Sequence, residues 1–128
     1  MSNPHFYLGT RKKENTLYLI HNKVLDIYKF GITSKPINER IFNYCNDKSK
    51  FHFIEIDKDG YHEHKYDFQI NDINIIYCKK MENCQEVEKK LMKIINGHRV
   101  KLKGQKYPFR EHFYQSKLDE VMDVLNCL

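Results

Sequence analysis

The chain has 128 residues, 41% of them hydrophobic and 30% charged, and carries a formal net charge of +5 with histidine neutral. Its 8 Phe and 9 Tyr can fill a core, which excludes a disordered tail, and the length fits one domain without a second independent core. No apolar run approaches the roughly 18 residues of a membrane-spanning helix. Because residues 1–13 also lack the apolar stretch of a signal peptide, we expect a cytoplasmic protein with no membrane partner.

The domain organisation is simple. Residues 1–13 are predicted to form an N-terminal arm and residues 14–128 a single domain, since no repeat, low-complexity tract or long linker interrupts them. Abundant Lys, Asn, Ile and Tyr, with no Ala or Trp, indicate an AT-rich coding genome, as in a phage, a virus or a low-GC bacterium. The cysteines lack C-x-x-C spacing, which argues against a zinc knuckle or a disulfide framework and predicts reduced thiols at Cys45, Cys78, Cys84 and Cys127.

The domain opens with two runs rich in aliphatic and aromatic residues, 15–21 and 24–33, which predict two antiparallel strands. The polar pair Asn22–Lys23 between them suits a two-residue hairpin loop. Such a loop pairs Tyr18 with Ile27 across the two strands.

That register has a consequence for one face of the sheet. Tyr18 shares its face with Lys29 and Gly31, and Tyr18 and Lys29 are diagonal neighbours roughly 7–8 Å apart. Gly31 is expected to leave open backbone beside Lys29, where a phosphate can approach.

The rest of the chain alternates between helical and strand patterns, and Gly97 marks the end of one predicted helix. Asn83 and Glu86 make an expected capping box, and Ser116 an expected N-cap. This order predicts an α/β (α+β) fold in which a small, mainly antiparallel sheet is flanked by helices. The predicted elements are a helix over about 36–46, paired strands within 51–57 and 67–79, a helix over about 84–96, and a helix that begins at Ser116.

Five short motifs within about residues 16–114 resemble those of the GIY-YIG nuclease superfamily, both in their residues and in their order along the chain. Lys29 stands where many members have Tyr, which is similar to a phage-type branch with Lys-x-Gly followed by Thr. Tyr44, one turn after Arg40, stands where many members have His. The motifs are Leu17–Ile20 with Tyr18, Lys29–Thr33 with Gly31, Arg40, Val87–Leu91 with Glu88, and Arg110–Phe113.

The resemblance implies metal-dependent hydrolysis of DNA phosphodiester bonds. Glu88 would hold Mg²⁺ or Mn²⁺, and Tyr18 would orient or deprotonate the attacking water. Arg40 would stabilise charge on the phosphorane, with Lys29 and Tyr44 completing the catalytic set. These residue types suit the task, because Mg²⁺ prefers oxygen ligands and the guanidinium fork matches phosphate oxygens.

Basic side chains near the C-terminal third suit contacts with a polyanion. Lys101, Lys103 and Lys106 lie in an irregular stretch where their side chains can bind phosphates. The backbone at Gly31 is a further expected contact with nucleic acid. The two histidines of the segment 62–64 are more typical of a polar loop than of a metal site, since no third ligand has a suitable spacing. Glu111 and Phe113 are given a structural role.

Two other interpretations stay open at this stage. The departures at Lys29 and Tyr44 are also compatible with a non-catalytic nucleic-acid-binding or protein-interaction module that retains the fold. RNA is not excluded as the polymer, and neither is a small phosphodiester substrate. Because the chain lacks room for a separate DNA-reading domain, a homodimer or a guiding protein partner is also open.

Overall fold

The centre of the fold is a four-stranded antiparallel sheet with strand order β5-β1-β2-β6. The computed structural model describes residues 14–128, so the predicted arm at residues 1–13 lies outside the described residues. A second, two-stranded sheet is the hairpin of β3 and β4. The strands are β1 (Asn15–Asn22), β2 (Ile27–Thr33), β3 (His52–Asp57), β4 (Gly60–Lys65), β5 (Ile73–Met81) and β6 (His112–Phe113).

Helices cover both faces of the central sheet, which confirms the predicted α+β class. None of the helices within residues 14–128 combines the length and the apolar character needed to cross a bilayer. The four cysteines are free thiols, as predicted. The helices are α1 (Ile37–Asn46), α2 (Lys48–Phe51), α3 (Cys84–Ile95) and α4 (Leu118–Asn126), with 3-10 turns at Ile70–Asp72 and Gln115–Lys117.

Two hydrophobic clusters lie on opposite sides of the sheet. Because successive side chains of a strand point to opposite faces, β1 and β2 each contribute to both clusters, and most residues of both strands are buried. On one side, α3 and α4 pack against Leu17, Leu19 and Phe30. On the other side, α1 packs against Tyr18, Ile20 and Ile27, together with Phe51 at the end of α2 and Phe109 before β6.

The β1–β2 connection is longer than the sequence predicts. Asn22 pairs with Ile27, so the turn comprises residues 23–26, and Tyr18 lies opposite Gly31. The Asn22 Oδ1 atom accepts hydrogen bonds from the backbone N–H groups of Val24 (3.1 Å) and Leu25 (3.2 Å), which stabilises this turn. The two-residue loop was therefore wrong.

The face prediction nevertheless survives the change of register. The partner of Tyr18 moves from residue 27 to residue 31, an even number of positions, and an even shift keeps every side chain on its face. Tyr18, Lys29 and Gly31 do share one side of the sheet, with Lys29 diagonal to Tyr18.

The third predicted strand has a different partner from the one expected. β3 pairs with β4, a polar strand that the sequence analysis missed, and β5 pairs with β1. His62 and His64 are thus strand residues and not part of a loop. His62 Nε2 is hydrogen-bonded to Asp57 Oδ1 (3.2 Å), and His64 Nε2 to Glu55 Oε1 (3.0 Å). Among the described residues, no group of three or more His, Cys, Asp or Glu side chains could hold a metal ion.

The predicted ends of the helices are correct more often than the predicted caps. α3 begins after Asn83, whose carbonyl accepts from two backbone N–H groups, but its side chain makes no cap hydrogen bond, so the capping box was wrong. Gly97, with φ of 81°, follows the helix as expected. Ser116 lies within a 3-10 turn, and α4 starts after Lys117 without a side-chain cap.

Candidate active site

A buried lysine and a buried tyrosine make direct contact on the α1 side of the sheet. The Lys29 ammonium donates a hydrogen bond to the Tyr18 hydroxyl oxygen at 2.8 Å, and its Nζ lies 4.9 Å from the centroid of the Tyr18 ring. Tyr18 is only 2% exposed and Lys29 only 3%. A buried cation is costly without polar partners, so this contact fixes the position of both side chains.

Gly31 makes room for this pair. A Cβ atom at Gly31 would lie 2.5 Å from the Tyr18 hydroxyl oxygen and 2.9 Å from Lys29 Nζ. The Tyr18 side chain therefore crosses β2 at the one position that has no side chain of its own. This corrects the expectation of open backbone at Gly31, because Tyr18 and Lys29 occupy that space.

A cleft of about 440 Å³ opens beside this pair. β6 pairs with only two residues of β2, and the cleft lies beyond the short β6, between α1 on one face of the sheet and α3 on the other. The structure thus brings Tyr18, Arg40 and Glu88 together from three separate elements. The cleft is lined by Tyr18, Ile32, Arg40, Gln85, Glu88, Lys89, Arg110 and Glu111.

Glu88 is a partly buried carboxylate in this cleft. Burial raises its pKa, and the nearby Glu111 raises it further, while Arg110 and Lys29 act in the opposite direction. A carboxylate that is desolvated and close to a second negative charge is stabilised by any cation that joins it.

Glu111 belongs to the site, although the sequence analysis gave it only a structural role. Its Oε2 atom lies 3.7 Å from Lys29 Nζ, and its backbone carbonyl accepts a hydrogen bond from Phe30 N–H at 3.3 Å. The motif Arg110–Phe113 was the available signal, but its position in an irregular segment gave no hint of which way the carboxylate points.

Lys50 is a second residue that the sequence analysis missed. It lies in the short α2, where burial lowers the pKa of its ammonium. The positive charges of Lys29 and Arg40 lower this pKa further, while Asp47 and Glu111 act in the opposite direction. The charges of Lys29, Arg40 and Lys50 thus act on one another, and such a concentration of cations suits an anionic ligand.

Tyr44 does not line the cleft. It is 4% exposed and lies among aromatic rings, with its hydroxyl 3.1 Å from His112 Nε2. Burial raises the pKa of this hydroxyl well above its ordinary value. A proton-transfer role for Tyr44 stays a prediction that the geometry does not favour.

The three lysines predicted to bind phosphate lie outside the cleft. Lys101, Lys103 and Lys106 are exposed on the segment between α3 and β6. Lys103 lines a different, acidic cleft at the β3–β4 hairpin, and its carbonyl accepts a hydrogen bond from the Tyr66 hydroxyl at 2.9 Å. Phosphate contacts by these lysines would lie outside the cleft that holds Glu88.

The buried His112 is expected to make the protein less stable in mild acid. Burial, and then the charges of Lys29 and Lys50, lower its pKa well below the ordinary value near 6.5. Below about pH 6.5 the unfolded chain binds a proton at this residue and the folded chain does not, so acid favours unfolding. As the pH is lowered below about 6.5, we expect the free energy of unfolding to fall by about 1.4 kcal/mol per pH unit relative to a His112→Gln variant.

Urea unfolding of both proteins between pH 5 and 8 measures this difference. Using the variant as reference removes the contribution of Glu88, whose raised pKa acts with the opposite sign. Parallel stability curves for the two proteins would show that His112 titrates normally in the folded state.

Comparison with known protein families gives a match over most of the chain. A family model described as the T5orf172 domain matches residues 6–128. No curated protein and no solved structure matches the chain. The matched range includes every strand and helix described above and all the residues of the cleft.

Proposed function

The chain belongs to the T5orf172 domain family, and on that premise we propose that it is a metal-dependent endonuclease that hydrolyses DNA phosphodiester bonds by a GIY-YIG-type mechanism. T5orf172 domains occur in phage-type and other nuclease-like proteins, and a DNA-binding role is compatible with the family. The observation that carries the proposal is the meeting of Tyr18, Arg40 and Glu88 in one cleft, where Tyr18 accepts a hydrogen bond from the buried Lys29.

The cleft fits a divalent cation held by few protein ligands. Glu88 offers a carboxylate whose raised pKa reflects burial and the charge of Glu111, and Mg²⁺ is commonly held by one or two carboxylates plus substrate phosphate and water. Glu88 would be the ligand. When bound, such a cation supplies an activated water and stabilises negative charge on the phosphate.

Tyr18 is placed to handle the attacking water. Its oxygen accepts a hydrogen bond from the Lys29 ammonium, which fixes the hydroxyl at the wall of the cleft. A phenol oxygen can accept a second hydrogen bond as well as donate one. Tyr18 therefore orients the attacking water. To take up the water proton it would act as the phenolate, whose negative charge the Lys29 ammonium stabilises, and it would become the neutral phenol in that step.

Arg40 approaches the same cleft from α1. Its planar guanidinium can bind two non-bridging phosphate oxygens at once, a geometry that a lysine does not reproduce. Charge that builds up on the phosphate during attack then lies beside fixed cations, and this kind of preorganised electrostatic stabilisation is commonly the largest single contribution to catalysis. Arg110 also lines the cleft and adds a second guanidinium to it.

Incubation of supercoiled plasmid with the full chain tests the proposal, with Mg²⁺, Mn²⁺ or a chelator in parallel reactions. We expect nicking or linearisation with either metal and none with the chelator. A fluorescent RNA of the same sequence as one plasmid segment serves as the comparison polymer. Folded protein that binds plasmid but cleaves neither polymer in any divalent metal would contradict the proposal and favour the binding module.

A further inference from the structure

Tyr44 and His112 form a buried polar pair inside an aromatic cluster. The Tyr44 hydroxyl and His112 Nε2 are 3.1 Å apart, and the two rings stack with a centroid distance of 5.8 Å and an interplanar angle of 20°. His112 is 2% exposed. Phe51, Phe68 and Phe109 surround the pair.

Both members of the pair stay uncharged near neutral pH. Burial lowers the pKa of His112, as do Lys29 and Lys50, and burial raises the pKa of Tyr44. The other ring nitrogen of His112, Nδ1, has no hydrogen-bond partner within residues 14–128. The bond to Tyr44 is thus the polar contact that orients this ring, and a buried polar bond of this kind is expensive to break.

The pair connects the elements that carry the cleft residues. Tyr44 follows Arg40 by one turn of α1, so the two side chains lie on the same side of that helix. His112 pairs with Lys29 across β2 and β6 and directly follows Glu111, whose carboxylate lies near Lys29 Nζ. The Tyr44–His112 bond therefore joins the helix that carries Arg40 to the strand that directly follows Glu111.

We propose that Tyr44 and His112 are positioning residues, whose buried hydrogen bond sets the distance between Arg40 and the Lys29–Glu111 pair. This inference rests on the proposed nuclease function for its effect on rate, but its structural part does not. Neither side chain touches the substrate or moves a proton. The bond acts by holding the Arg40 guanidinium at the place where the phosphate binds.

The first test is Tyr44→Phe, which removes one hydroxyl and keeps the ring, assayed by DNA cleavage well below the melting temperature. We expect kcat to fall on the order of 10- to 100-fold because Arg40 is displaced. We also expect an almost unchanged KM and a pH–rate profile of the same shape. Tyr61→Phe is the matched control, since it removes a hydroxyl that donates to Glu63 on the exposed hairpin at 3.0 Å, and its kcat should equal that of wild type.

The second test is a double variant, Tyr44→Phe with His112→Leu, which removes both members of this hydrogen bond together. If the bond is what positions Arg40, the double variant loses no more kcat than Tyr44→Phe alone, even where its stability recovers. Additive losses of kcat would overturn the proposal. Where Tyr44→Phe alone fails to fold, the kcat of the double variant is compared with that of wild type, and an unchanged kcat would overturn the proposal.

The third test needs no cleavage and so separates this inference from the proposed function. The Arg40 Nε–Hε signal in ¹⁵N NMR spectra should shift or broaden in Tyr44→Phe and stay unchanged in Tyr61→Phe. If the Arg40 signal responds in this way but the wild-type protein cleaves no DNA, the proposed nuclease function is rejected and the positioning role is kept. An unchanged Arg40 signal, a wild-type kcat in Tyr44→Phe, or the loss of one limb of the pH profile would each overturn it.

Discussion

Glu88→Gln is expected to reduce metal-dependent DNA cleavage by about 10³-fold or more while the protein stays folded. The substitution keeps the size of the side chain and removes its charge, so the cleft loses the carboxylate proposed to hold the cation. Titration of Mn²⁺ into the protein, followed by calorimetry, should show weaker binding in the same variant.

The stability of this variant should change in the opposite direction from its activity. Burial and Glu111 raise the pKa of Glu88, so the ionised form is disfavoured in the folded protein, and stability is lost as the pH rises through the folded pKa. At pH 7 the uncharged glutamine avoids that cost. We therefore expect an equal or higher melting temperature, the behaviour of a residue kept for function.

Glu86→Gln is the matched control for Glu88→Gln. Glu86 lies in the first turn of the same helix and is exposed, where its charge interacts favourably with the helix dipole. This control should lose a little stability and keep full activity. Undiminished cleavage by Glu88→Gln would show that the metal is held elsewhere.

Gly31→Ala is expected to cost about 1–3 kcal/mol of stability and to lower the cleavage rate on the order of 10²-fold. The added Cβ would lie 2.5 Å from the Tyr18 hydroxyl oxygen and 2.7 Å from Tyr18 Cζ, so the ring must move. Movement of the ring also breaks the hydrogen bond from Lys29 and leaves that buried cation with only its longer contacts to the Phe30 carbonyl (3.4 Å) and to Glu111 (3.7 Å). Urea unfolding gives the stability change, and initial rates at low temperature give the activity.

Gly97→Ala is the control that distinguishes damage to the cleft in Gly31→Ala from a general loss of stability. Gly97 follows α3 with φ of 81°, and a Cβ there would meet no atom within 4 Å. The variant should be destabilised by backbone strain alone and should cleave at the wild-type rate per folded molecule. A fully active Gly31→Ala protein would mean that Tyr18 need not lie across β2.

Periodicity explains what the sequence could predict. The face shared by Tyr18, Lys29 and Gly31 depends only on strand alternation, which an even change of register does not alter. The length of the turn depends on the Asn22 side chain and its two backbone bonds, a local detail that residue patterning does not resolve. Hence the face was correct and the register was wrong.

The missed residues lie where patterning carries little information. Glu111 is in an irregular segment just before a two-residue strand, and Lys50 is in a four-residue helix. The polar strand β4 lacks the β-branched residues that mark a strand in a sequence. Each takes its position from tertiary packing, for which no local periodic signal exists.

The strand order of the central sheet also constrains when the cleft can form. β2 pairs with β6, and the bond from Phe30 N–H to the Glu111 carbonyl closes that edge, so Tyr18 and Glu111 meet only through contacts distant in sequence. During synthesis, a chain that has emerged only as far as α3 contains Tyr18, Arg40 and Glu88 but not Glu111. The nascent protein therefore lacks a complete cleft until β6 has left the ribosome, and translation products that stop earlier lack it permanently.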